Sequence, residues 1–224
     1  NHILNNKSIC IVDDELIVGE RGPKPKSVPT YPEINLHSLE DLEILDSRPK
    51  VWFKSSEEVR KAYKDIVIPY WTGKTNREKI FANLDRNWID AYEAGVFTEF
   101  QEQRAPGHTV LGPKMFKTGF MDLIKQIRIG ISNLDFFNDK DAYEKREELK
   151  AMEVSANALI NYAYRHAGEL ELLAQSETDD DRKIELMQMA SICRNVPANA
   201  PQTFHEALQH YWFIHIGVIT EVNP

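Results

Sequence analysis

Sulfur is scarce in this chain. Two cysteines, Cys10 and Cys193, stand far apart in 224 residues, and neither belongs to a CxxC pair. That excludes a disulfide-stapled secreted scaffold and a cysteine-rich metal site, and it predicts a reduced, intracellular protein. The sequence has no HExxH for zinc, no GxGxxG or GxxxxGK[ST] for nucleotides, and no GxSxG nucleophile elbow. The start shows no signal-peptide pattern, so the expected location is the cytoplasm. No apolar run approaches the roughly 20 residues that span a bilayer, so no membrane partner is expected. Positive charge is also short: 27 Lys and Arg face 35 Asp and Glu, a net charge of -8. A nucleic-acid binder needs a basic face to displace counterions, so nucleic acid is not an expected partner. There is no internal repeat and no low-complexity tract.

What is present is ordinary globular material, 42% hydrophobic, long enough to bury a core as one large domain or two small ones. The apolar runs Ile9 to Val12 and Leu16 to Val18, separated by Asp13 and Asp14, predict a short hairpin. Four prolines between Pro23 and Pro32 then exclude a helix and favour an extended arm. From Ser38 onward the pattern is helical. Ser38 with Asp41, Ser55 with Glu58, Thr75 with Glu78 and Thr203 with Glu206 have the spacing in which a hydroxyl and a carboxylate cap free amides.

Between these starts lie amphipathic stripes. Val59, Tyr63, Ile66 and Tyr70 form one, ending near Pro69 and Gly73. Ile80, Leu84 and Trp88 form a second, interrupted near Asp85. Phe120, Leu123, Ile124, Ile127, Ile131 and Leu134 form a third. A long helix is predicted from about Asp141 to Ser176, with Met152, Ser155, Leu159, Tyr162 and His166 on one face. Ile184, Met187 and Ser191 mark the next, stopped before Pro197. Phe204, Ala207, Leu208, Tyr211, Trp212 and His215 mark the last. In "GVITEVNP", the alternation of Val218, Thr220 and Val222 predicts a C-terminal strand. Such a strand needs a partner, so the chain is expected to be a fragment.

Chemistry-bearing residues are few. His205, His210 and His215 step by five, which turns a helix too far for one shared face, so they form no metal site. "GERGPKPK" is basic and glycine-bearing, but its prolines remove the amide donors that a phosphate cradle requires, which favours a structural arm. Cys193 has no adjacent base and reads as a structural thiol. The remaining candidate is "FTEFQEQRAPGHTV". Helical spacing puts Phe97 and Phe100 on one side of a short helix or turn. Pro106 and Gly107 then bend the backbone ahead of His108. An aromatic ring eight residues before a loop histidine makes a small-molecule pocket wall beside a proton donor, or else a packed loop with a hydrogen-bonded histidine.

"DDELIVGERGPKPKSVPTYPEI", "FTEFQEQRAPGHTV" and "VPANAPQTFHEALQHYWFIHIGVITEVN" resemble, in order and across essentially the whole chain, the N-terminal part of a glycyl radical enzyme of the pyruvate formate-lyase-like superfamily. The resemblance implies a mainly α chain spanning residues 1–224: the N-terminal helical shell of a ten-stranded β/α barrel, with only the final strand belonging to the barrel. It implies a protein glycyl radical, installed by an activating enzyme that uses S-adenosylmethionine and an iron–sulfur cluster. The radical passes to a cysteine, the thiyl takes hydrogen from a small-molecule substrate, a carboxylate assists as base, and water leaves.

The likeness is greatest to members that dehydrate trans-4-hydroxy-L-proline to pyrroline-5-carboxylate. Phe100 and His108 match the ring and the histidine of that pocket, which makes Phe100 a substrate contact and His108 both a substrate contact and a catalytic residue. An aspartate of that site is expected just beyond Pro224. The radical glycine motif and the cysteine–glutamate pair do not occur in these residues, so the fragment is expected to be inactive alone and to carry no cofactor or metal. The rival readings are a glycerol or propanediol dehydratase, a choline or isethionate lyase, and a non-catalytic helical interaction module. A homodimer is compatible with all of these.

Overall fold

The computed structural model describes residues 2–22, 24, 27, 30–50, 52–96 and 112–221. Among the described residues the secondary structure is helical, and no β-strand occurs. The chain divides into two compact units, one formed by residues 1–23 with 106–222 and the other by residues 24–105.

The second unit is a string of short helices: α2 (Leu39–Ser47), α3 (Glu57–Ala62), a π-helical turn (Tyr63–Val67), α4 (Ile68–Trp71), α5 (Asn76–Phe81) and α6 (Arg86–Glu93). Their starts follow the local signals. Ser38 and Asp41 cap α2 reciprocally, Thr75 and Glu78 do the same for α5, and Asp85 caps α6 through the Trp88 amide. The expected start at Ser55 shifts by one residue. Ser56 caps α3, while Ser55 accepts from Arg60 Nε and donates to Leu42 O. The turn Tyr63–Val67 widens just before Pro69, and Ile68 N–H reaches back five residues to Tyr63 O. A widened turn tolerates a proline that would clash in a regular helix. Of the expected stripe only Tyr63 is buried, its hydroxyl donating to Thr30, whereas Ile66 and Tyr70 are exposed.

The first unit carries the larger core. Its elements are α1 (His2–Asn6), a 3-10 turn (Gly112–Phe116), α7 (Phe120–Ser132), α8 (Ala142–Ser176), α9 (Asp180–Asn195) and α10 (Phe204–Glu221). The 35-residue α8 starts after Asp141, where the sequence places it. It packs against both α7 and α9. Arg128 pairs with Glu153, and Arg194 grips Glu171 through two nitrogens. Tyr162, His166, Ala167 and Leu170 form the buried spine of α8, with Phe213 and Ile216 of α10 and Met189 and Cys193 of α9 against it. A second cluster joins Met115, Phe120, Ile124, Ile160 and Ile214.

The start of α7 is tied to the segment after α9. Phe120 N–H and Met121 N–H donate to the carbonyls of Pro197 and Ala198, whose own chain enters through a cis Val196–Pro197 bond. Gly119 makes this approach possible: a Cβ there would lie 2.3 Å from Ala198 O.

Three expectations are corrected. First, residues 9–18 form no hairpin, because side chains of the helices occupy the backbone groups that a partner strand would take. Second, residues 218–221 continue α10 instead of starting a strand. Phe213, Ile216 and Thr220 are buried at helical spacing, and Thr220 Oγ1 donates to Ile216 O, so packing overrides the β-propensity of Val, Ile and Thr. Third, the buried faces of α9 and α10 are not the predicted ones. Ile184, Met187, Phe204, Leu208 and Tyr211 are exposed, while Leu186, Met189, Ile192, Gln209, His210 and Phe213 are buried.

Candidate functional site

Phe100 and His108, with the whole stretch 97–111, lie outside the described residues. Within the described residues the polar groups converge on the arm that follows α1. This arm has no regular structure, and three helices hold it through side chains.

From α8, Arg165 donates to Leu4 O and Lys7 O at 2.6 Å each, and Tyr162 Oη donates to Glu20 O at 3.2 Å. From α9, Arg182 reaches the Glu15 and Val12 carbonyls at 3.3 and 3.4 Å. From α10, His205, Gln209 and Trp212 project from one face at i, i+4 and i+7. His205 Nε2 donates to Leu16 O at 2.7 Å, and Trp212 Nε1 donates to Gly19 O at 2.7 Å. The Gln209 amide closes a two-bond ring with Val18: Val18 N–H donates to Oε1 at 2.8 Å, and Nε2 donates to Val18 O at 2.7 Å. Gly19 passes this point at φ 127°, and a Cβ there would press on the Trp212 indole. "GERGPKPK" thus begins as the structural arm that its prolines predict.

Under the arm sits a group of titratable side chains. Lys7 Nζ donates to Glu20 O at 2.5 Å and Arg21 O at 3.0 Å and lies 4.8 Å from the centre of the Tyr162 ring. Burial lowers its pKa to about 8, against the raising effect of Glu20. The His166 ring meets Tyr162 edge-on at 4.4 Å. Its Nδ1 lies 2.9 Å from Tyr162 O, which fixes the proton on that nitrogen. Nε2 has no hydrogen-bond partner among the described residues. Burial lowers the His166 pKa to about 4, and burial also pushes the Tyr162 phenol up. At neutral pH, His166 is therefore neutral and Tyr162 protonated. Neither has a proton poised for exchange, so the cluster clamps and does not catalyse.

The other histidines go different ways, as their spacing predicts. His205 holds the arm. His210 is fully buried, and burial lowers its pKa while the Met115 backbone beside it raises it. His215 lies between Tyr211 and Trp212. Cys193 is fully buried in the α8–α9 core, and burial pushes its thiol up to about 12, so it is a structural thiol. Among the described residues, no three His, Cys, Asp or Glu gather as a metal site would require. No helix is long and apolar enough to cross a membrane.

The sequence reading missed Arg165, Arg182 and Gln209 as arm-holding residues. The i, i+4, i+7 spacing of His205, Gln209 and Trp212 was a visible signal for the α10 part. The arginines carried none. Also missed was an open apolar groove of about 640 Å³ between α7, α8 and α10, walled by Leu123, Ile127, Met152, Leu159 and Val218, with Glu148 on its lining.

This helical frame, with its clamped N-terminal arm, has known counterparts. The chain belongs to the pyruvate formate lyase-like family, whose model matches residues 1–224. It is 47% identical over 222 residues to trans-4-hydroxy-L-proline dehydratase of Clostridioides difficile, covering 99% of this chain and 28% of that protein. The crystal structure of hydroxyproline dehydratase from Clostridioides difficile with trans-4-hydroxy-L-proline bound superimposes with a TM-score of 0.84, over 98% of this chain and 28% of that one. The glycerol-bound B12-independent glycerol dehydratase from Clostridium butyricum superimposes with a TM-score of 0.81 at 32% identity, over 99% of this chain and 28% of that one. The chain thus spans a little over a quarter of the length of the relatives it matches, and it corresponds to their helical N-terminal part.

Proposed function

We propose that this chain is the N-terminal portion of a glycyl radical dehydratase that removes water from trans-4-hydroxy-L-proline to give pyrroline-5-carboxylate. The observation that carries the reading is the 47% identity over 99% of the chain to a protein of that activity, against 32% to the glycerol dehydratase. Residues 1–224 form part of one pyruvate formate-lyase-type domain, in which the two compact units are subdivisions.

In this reading Phe100 packs on the pyrrolidine ring, and His108 donates a hydrogen bond to the substrate's hydroxyl or carboxylate as the carbon–oxygen bond breaks. The radical is a protein glycyl radical, made by an activating enzyme with S-adenosylmethionine and an iron–sulfur cluster. The protein works anaerobically in the cytoplasm. The clamp described above has a supporting role: it fixes the arm on α10 and takes no part in the chemistry.

The test is product analysis of the complete protein, activated anaerobically, with hydroxyproline, glycerol, propanediol, choline and isethionate offered separately. Release of pyrroline-5-carboxylate from hydroxyproline is the expected result. Turnover of another of these compounds with none of hydroxyproline refutes the substrate assignment.

A further inference from the structure

The α7–α8–α10 groove is a hole in an otherwise close-packed unit. It exists because side chains are small where the helices face one another. Ala151 and Ser155 on α8 and Gly217 on α10 leave a trough that Leu123, Ile127 and Met152 border without filling. Met152 is 48% exposed at its edge, on the same helix whose next turns bury Tyr162 and His166 completely. Apolar surface of this kind is stabilising only when covered.

Three observations identify what covers it. The fold is retained at a TM-score of 0.84 in a relative of which this chain matches only 28%, so the trough belongs to a frame built to carry much more polypeptide. One lip is formed by Gly217 and Val218, in the last turns of α10, so polypeptide following α10 emerges beside the trough. The lining is apolar with Glu148 among it, and no ion pair or hydrogen bond engages the Glu148 carboxylate among the described residues.

We propose that this groove is an intramolecular docking surface. Its occupant is a segment of the same polypeptide C-terminal to Pro224 that presents an apolar face of several aliphatic side chains and one Lys or Arg to pair with Glu148. The proposal rests on the reading that the complete protein continues beyond this chain as its relatives do. It does not depend on which compound that protein dehydrates.

The experiment uses the complete protein with a benzophenone amino acid in place of Met152, irradiated and digested for mass spectrometry. The expected product is an intramolecular cross-link from position 152 to a residue after 224. A cross-linked dimer assigns the groove to a second copy and overturns the proposal, as does a cross-link confined to residues 1–224 or the absence of any cross-link. Should the bulky probe prevent folding, Met152→Cys in the complete protein gives the same decision. Its thiol should alkylate at least roughly tenfold more slowly than that of Lys150→Cys, one turn of exposed helix away. Equal rates overturn the proposal. Hydroxyproline turnover is measured separately, so loss of the substrate assignment leaves the cross-linking result standing, and the reverse.

Discussion

Replacing Gln209 with leucine tests whether α10 holds the N-terminal arm through one amide. Gln209 and Val18 are both buried, and the Gln209 side chain satisfies the N–H and the carbonyl of Val18 together. Leucine has a similar volume and no polar atom, so both backbone groups lose their partner where water does not reach. A buried donor or acceptor left unpaired costs about 1–3 kcal/mol. Two such groups, partly offset by the apolar character of leucine, come to about 2–4 kcal/mol.

The loss is local, because Leu16 and Gly19 keep their bonds to His205 and Trp212. The assay is therefore amide hydrogen exchange at Val18, where the loss should lower protection roughly 30- to 700-fold. Gln209→Glu adds an internal control. The protonated acid can accept from Val18 N–H and donate to Val18 O, but the carboxylate can only accept. The folded state then binds the proton more tightly than the unfolded state, whose pKa is about 4.3. Protection should be nearly native below that pH and fall as pH rises above it. Val18 protection in Gln209→Leu within about threefold of wild type, or a Gln209→Glu variant indifferent to pH, refutes the clamp.

Three further outcomes are expected. His166, held neutral by burial with a pKa of about 4, should contribute stability that is fully present above about pH 6.5 and lost as pH falls toward 4, up to about 3 kcal/mol; urea unfolding across this range should show a flatter pH dependence in His166→Leu than in wild type. Gly119→Ala puts a Cβ against the Ala198 backbone, whereas Gly217→Ala meets only the movable Leu159 side chain at 2.6 Å, so thermal melts should show a loss of about 3 kcal/mol or more for the first and about 1 kcal/mol for the second. In the activated complete protein, His108→Gln should keep substrate binding and lose about 10²–10⁴-fold in turnover at normal radical content by electron paramagnetic resonance, and Phe100→Ala should weaken hydroxyproline binding by about 1–3 kcal/mol; near-normal turnover in His108→Gln returns that residue to a packing role.

The sequence by itself determined where helices begin. Ser38, Thr75, Asp85 and Thr203 cap their helices through amides three residues on, and such bonds depend on nothing outside their own turn. It also determined the 35-residue span of α8 and, through three ordered stretches of text, the family. Only the tertiary structure decided which faces those helices bury. On α10 the apolar residues run nearly all round, so periodicity offers two faces, and burial chose the one bearing Gln209, Phe213 and Ile216. It also decided the state of the arm. Ile9 to Val18 carries strand-like text, but its amides and carbonyls are met by Arg182 and Gln209, more than 160 positions away. A backbone group requires a partner and does not specify its kind. Helices already assembled around α8 presented side chains at the right spacing, and the segment was held extended without becoming a sheet.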